Sequence, residues 1–155
     1  MTDRRGFIAL SAATLSTLAL PAGAATGMHV RAAPGCGCCH ASADLARARG
    51  YAVTVTEMTD PDAEKAALGV PLHLASCHTI EADSYVFEGH VPFEALEAVL
   101  QDRPDITGLA VPGMPMGSPG MGDDPSARYD VIAFGGAAGA GRPFYRAGTP
   151  EPFAG

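Results

Sequence analysis

Hydrophobic and polar positions along the chain switch between two periods. Met28 to Ala33 reads as a short strand. Between Ala41 and Arg49 the spacing becomes helical, with Ala41, Leu45 and Ala48 on one face and Gly50 as a stop. Tyr51 to Thr56 is β-branched and alternating, a second strand. Asp60 is placed as an N-cap, Pro61 suits the first helical position, and Gly69 ends a helix of about two turns. Cys77 to Ala82 and Tyr85 to Glu88 flank Asp83-Ser84 as a hairpin. Pro92 to Asp102 predicts a helix whose apolar face is Phe93, Leu96, Val99 and Leu100, stopped by Pro104. From Pro104 to Pro125 no period is visible, only Gly, Pro and Met, which predicts a long loop. Tyr129 to Phe134 predicts a last strand, and Gly135 to Gly141 a turn. Phe144-Tyr145-Arg146 pairs back onto that strand.

The order is β-α-β-α-β-β-α with a C-terminal β extension. A parallel pair, an antiparallel hairpin and a closing helix make an α/β, thioredoxin-like arrangement with a mixed sheet. In such a sheet a strand antiparallel to the first begins where the first one ends. Cys77 is therefore expected to approach the loop that follows the first strand.

The N-terminus is separate from this pattern. Arg4-Arg5 precedes an apolar stretch from Phe7 to Leu20, and Ala22-Gly23-Ala24 offers small residues for cleavage. The arginine pair fits a twin-arginine export signal. Cleavage after Ala24 divides the chain into a signal peptide, 1–24, and a single domain, 25–155, in the periplasm. No window of about 18 apolar residues follows, so no membrane span is expected after cleavage. The net charge of −7 argues against a nucleic-acid partner and against a polybasic membrane surface.

An oxidising compartment changes how the four cysteines are read. Cys36-Gly37-Cys38-Cys39 holds three of them just before a helix, where the helix N-terminus favours thiolate. Thiolate is the form that attacks disulfides or binds soft ions such as Cu(I), with zinc also open. Cys77-His78 is the second element; on a strand the two point to opposite faces unless they lie in a bend. His90 sits between a strand and a helix. Met114, Met116 and Met121 lie where no helix or strand would bury them, and their thioethers suit Cu(I) or Ag(I). Cys36-x-x-Cys39-His40 also satisfies the attachment pattern of a c-type haem. That reading leaves Cys38 and Cys77 without a role, and the strand-rich pattern does not suit a small helical cytochrome.

The segments Pro34-Gly35-Cys36-Gly37-Cys38-Cys39, Ser76-Cys77-His78-Thr79, Glu88-Gly89-His90-Val91-Pro92 and Gly108-Leu109-Ala110-Val111-Pro112-Gly113-Met114-Pro115-x-Gly117-Ser118-Pro119-Gly120-Met121 occur in this order. Together they resemble the CopG-like domain-of-unknown-function family, small exported metal-binding proteins linked to copper and silver resistance. The resemblance covers roughly residues 28–147. It implies a thioredoxin-like fold and a cysteine-bridged copper site carried by Cys36, Cys38, Cys39 and Cys77. His78, His90 and the three methionines follow less directly. Gly122 departs from the acidic residue expected there, and His40 from a small one.

Two functions follow as expectations. One is a copper-binding protein that sequesters, shuttles or redox-cycles Cu(I), with Cu(II) as the other redox state and silver or zinc as weaker fits. Its partners would be copper ions and a copper efflux system or another periplasmic copper carrier. The other is a thiol–disulfide oxidoreductase that uses Cys36 and Cys39. The two extra sulfurs favour metal.

Overall fold

The structure, a computed structural model, describes residues 25–150 with 152 and 153. The expected export signal, 1–24, lies outside the described residues. Seven strands form one mixed sheet: β1 (Gly27–Ala32), β2 (Ala52–Glu57), β3 (His78–Ala82), β4 (Tyr85–Glu88), β5 (Gly108–Ala110), β6 (Tyr129–Phe134) and β7 (Arg142–Ala147). Three α-helices among the described residues accompany it: α1 (Gly37–Ala48), α2 (Pro61–Ala67) and α3 (Phe93–Asp102). The spatial order is β2-β1-β3-β4-β5-β6-β7. β1 runs parallel to β2 and antiparallel to β3, and β3 is antiparallel to β4, as the sequence pattern predicts.

Alternation on the central strands divides the core into two faces. Phe87, Leu109 and Val131 join Val30 and Ile80 in one cluster, with Ala43 and Ala46 of α1 and Leu96 and Val99 of α3. Their neighbours Val86, Ala110 and Phe134 belong to the other, with Val70 and Leu74. Truncating the fully buried Phe87 to Ala would cost about 3–5 kcal/mol. Arg49, at the end of α1, lies 4.2 Å from the ring centre of Phe93 and ties α1 to the start of α3.

Three expectations are corrected. The helix expected from Ala41 starts at Gly37 instead, so Cys38 and Cys39, expected just before it, lie in the first turn of α1. The cap is the Cys36 sulfur, which accepts from the Cys39 N–H at 3.3 Å. The long loop contains β5, which pairs parallel with β4 and antiparallel with β6. Gly108 makes that pairing possible, because a Cβ there would lie 1.7 Å from the Val86 carbonyl oxygen. Finally, β3 starts at His78, and Cys77 occupies the bend before it.

Candidate metal site

The end of β1, the start of α1 and the bend before β3 meet at one rim of the sheet. The Ala33 N–H donates to the Cys77 carbonyl at 2.9 Å, which fixes the bend beside the cysteine triplet. Cys38 Sγ lies 3.9 Å from Cys77 Sγ and 3.4 Å from Cys36 Sγ. All four sulfurs lie within 4.8 Å of one another. The convergence expected from strand direction alone is therefore present. Cys36 and Cys39 form a disulfide, whereas Cys38 and Cys77 are free thiols.

Cys77 also belongs to a second group. Cys77 Sγ is 3.1 Å from His90 Nε2 and 3.4 Å from His78 Nδ1, and the donor atoms of the three lie within 4.8 Å of one another. The bend lets Cys77 and His78 face the same space, which a regular strand would forbid. His90 comes from the link between β4 and α3.

Hydrogen bonding orients these rings. Pro119 O can only accept, so His90 Nδ1 carries the proton and donates to it at 2.7 Å. His90 Nε2 is left as a bare lone pair aimed at sulfur, the arrangement of a ligand histidine whose other nitrogen is anchored. Burial pushes the Cys77 thiol up to about 11, and the neighbouring Cys38 sulfur adds to the rise. At neutral pH Cys77 is thus an S–H that donates to His90 Nε2. Burial pushes His78 down to about 3, with His90 and Lys65 adding to the fall, and burial also lowers His90. Both rings are neutral at pH 7, the form that binds metal.

His78 Nε2 is buried without a hydrogen-bond partner among the described residues. Leaving such a group unpaired costs about 1–3 kcal/mol. Soft sulfur, two neutral imidazoles and an unpartnered buried nitrogen suit a soft transition-metal ion.

The long loop reaches the site through its backbone. Besides the Pro119 carbonyl, Gly120 packs so closely that a Cβ there would lie 2.7 Å from Cys38 O and 2.9 Å from Ser42 N. Met114 and Met116 are exposed at 53% and 58%, and Met121 is half-buried next to Gly120. The structure thus gathers the four cysteines with His78 and His90, and it leaves Met114 and Met116 at the surface.

One polar group escaped the sequence reading. Lys65, Thr79 and Glu88 are buried beside the Cys77–His78 bend, with Lys65 Nζ 2.6 Å from Glu88 Oε1. A lysine on a short helix and a glutamate on an alternating strand read as solvated positions, and no local signal marks them as a pair.

A mixed α/β domain thus clusters thiols and imidazoles at a sheet rim, in groups that could hold a metal ion. A family model described as a protein of unknown function, DUF411, matches residues 74–121. Two solved structures of a copper resistance protein, copG forms 1 and 2, share 37% identity with this chain. Form 1 superposes with a TM-score of 0.69, covering 76% of this chain and 93% of its own. Form 2 gives 0.70, with 77% and 95%. No curated protein matches. The chain belongs to this CopG-like, DUF411 family.

Proposed function

We propose that the chain is an exported copper-binding protein that holds Cu(I) at the Cys36, Cys38, Cys39, Cys77, His78 and His90 rim and sequesters or hands it on in copper resistance. The observation that carries this reading is the pair of donor groups sharing Cys77 Sγ. The printed name of the copG structures supports copper as the ion. The order β2-β1-β3-β4, with α1 between β1 and β2, supports a thioredoxin-like domain over 25–155. The Arg4-Arg5 segment supports a twin-arginine signal over 1–24 and a periplasmic location. An efflux system or a periplasmic copper carrier is the partner class this role calls for.

In the oxidised form Cys77, Cys38 and the two imidazoles are the free donors. Reduction of Cys36–Cys39 takes up two electrons and two protons and supplies two more thiols. Each thiol that captures Cu(I) releases its proton to solvent. Closing Cys36 and Cys39 back to the disulfide would release two electrons and two protons, the electrons reducing two Cu(II) to Cu(I) and the protons passing to solvent. Met121, half-buried next to Gly120, is the methionine best placed to add a thioether.

The Cys36–Cys39 disulfide favours a second reading, a thiol–disulfide oxidoreductase. Anaerobic purification from the exported fraction, with metal analysis and thiol titration of wild type and Cys77→Ser, separates the two. Copper retained with reduced thiols, and lost in Cys77→Ser, supports copper binding. Metal-free protein that reduces insulin disulfides overturns it.

A further inference from the structure

We propose that Glu88, with Lys65 and Thr79, is a positioning residue that holds the Cys77–His78 bend in its donor geometry; the inference rests on the copper-binding reading above. The Glu88 carboxylate is fully buried and takes three donors. Its Oε1 accepts from the Ser76 N–H at 2.6 Å and from Lys65 Nζ at 2.6 Å. Its Oε2 accepts from the Thr79 hydroxyl at 2.5 Å, and Thr79 Oγ1 accepts from Lys65 Nζ at 2.9 Å. Ser76 immediately precedes Cys77 and Thr79 immediately follows His78, so one carboxylate grips both ends of the pair.

The same strand end carries the third donor. Gly89 N–H donates to the His78 carbonyl at 2.8 Å, and His90 follows directly. Gly89 has φ +72°, and a Cβ there would lie 2.7 Å from Ser76 Cβ and from Val111 O. Glu88, Gly89 and His90 thus lock the bend by carboxylate, by close backbone approach and by imidazole in succession. Ser76 Oγ extends the lock to the long loop by donating to Gly113 O at 2.6 Å.

A buried ion pair is a poor source of stability, because desolvation offsets the attraction. Here its three contacts fall on the residues that frame the donors. Groups that orient metal ligands typically alter affinity about 10–100-fold when removed.

The test uses the full chain with Lys65→Met/Glu88→Leu, which removes both charges together, and Thr79→Val against Thr79→Ser. Cu(I) affinity is read by competition with a chromophoric Cu(I) chelator, melting on the metal-free chain, and Cys77 exposure by its alkylation rate without metal. The double variant is expected to fold, to bind Cu(I) about 10–100-fold more weakly and to alkylate Cys77 faster. Thr79→Val should weaken binding in the same direction and Thr79→Ser restore it. A folded double variant with wild-type affinity overturns the proposal. If the double variant does not fold, equal affinities of the two Thr79 variants overturn it. Wild-type chain that takes up no Cu(I) defeats the copper-binding reading instead. The alkylation rate then decides the positioning role, an unchanged rate overturning it.

Discussion

His90 Nε2 stands 3.1 Å from Cys77 Sγ, while the opposite nitrogen of the same ring is tied to the Pro119 carbonyl. The loop backbone therefore sets the tautomer, and the tautomer decides that a lone pair faces sulfur. Replacing His90 by Phe keeps the ring and removes the lone pair. Cu(I) affinity is expected to fall by at least on the order of tenfold, read by chelator competition. A variant as tight as wild type would remove His90 from the ligand set.

Cys77 is the only residue shared by the two donor groups. Cys77→Ser should therefore lose more copper per chain than Cys36→Ser, which leaves Cys77, His78 and His90 in place. Metal analysis after anaerobic loading checks the ranking, and equal losses would contradict it.

Capture of a soft ion by Cys77 must displace a proton, because the thiol titrates at about 11. Affinity through Cys77 is expected to rise about tenfold per pH unit over the neutral range and to fall as acid is added. Competition titrations between about pH 6 and about pH 8 read this slope directly. A flat profile would mean that the thiol is already ionised.

Without metal, the same neighbourhood shapes stability. His78 drops from 6.5 to about 3 in the fold, with His90 and Lys65 facing it, so the unfolded chain takes up the proton first. Stability is lost as pH falls from about 6.5 toward about 3, on the order of 1 kcal/mol per pH unit. Cys77 rises from 9.0 to about 11, so the unfolded chain ionises first and stability is lost as pH rises above about 9. Urea titrations should place the plateau between these limits. A His78→Leu variant, which has no proton to take up at that position, should lose less stability on the acid side, His90 still contributing a loss there.

Two glycines near the cysteines should respond in opposite directions. Gly120 has φ +88° and no room for a Cβ, so Gly120→Ala is expected to cost on the order of 1–3 kcal/mol. Gly37 opens α1 with nothing within 4 Å of a Cβ, and Gly37→Ala should stabilise by up to about 1 kcal/mol. Thermal melts of the two variants check the contrast.

Much of this architecture was readable from local pattern. The strands around Val30, Val55, Ile80 and Phe87 and the helix of Leu96 and Val99 follow the alternation and helical spacing of their own residues. The meeting of Cys77 with the triplet followed from strand direction. What escaped was set by distant contacts. β5 is three residues long and buried on both faces, so it shows no alternation. The first turn of α1 has a glycine and two cysteines where helix signals are usually read, and its cap is a sulfur. The Lys65–Glu88 pair exists only because α2 lies against the β3–β4 hairpin.

The donors are scattered: the first turn of one helix, a bend, a link between strand and helix, and the carbonyl of a loop that orients one ring. No contiguous stretch of the polypeptide carries all of them. The complete donor set is a property of the native topology and is dispersed when the chain opens. A large-to-small change at a greasy position such as Leu109 or Phe87, with no polar atom of its own, therefore reaches the ion through the stability of the fold that gathers its ligands.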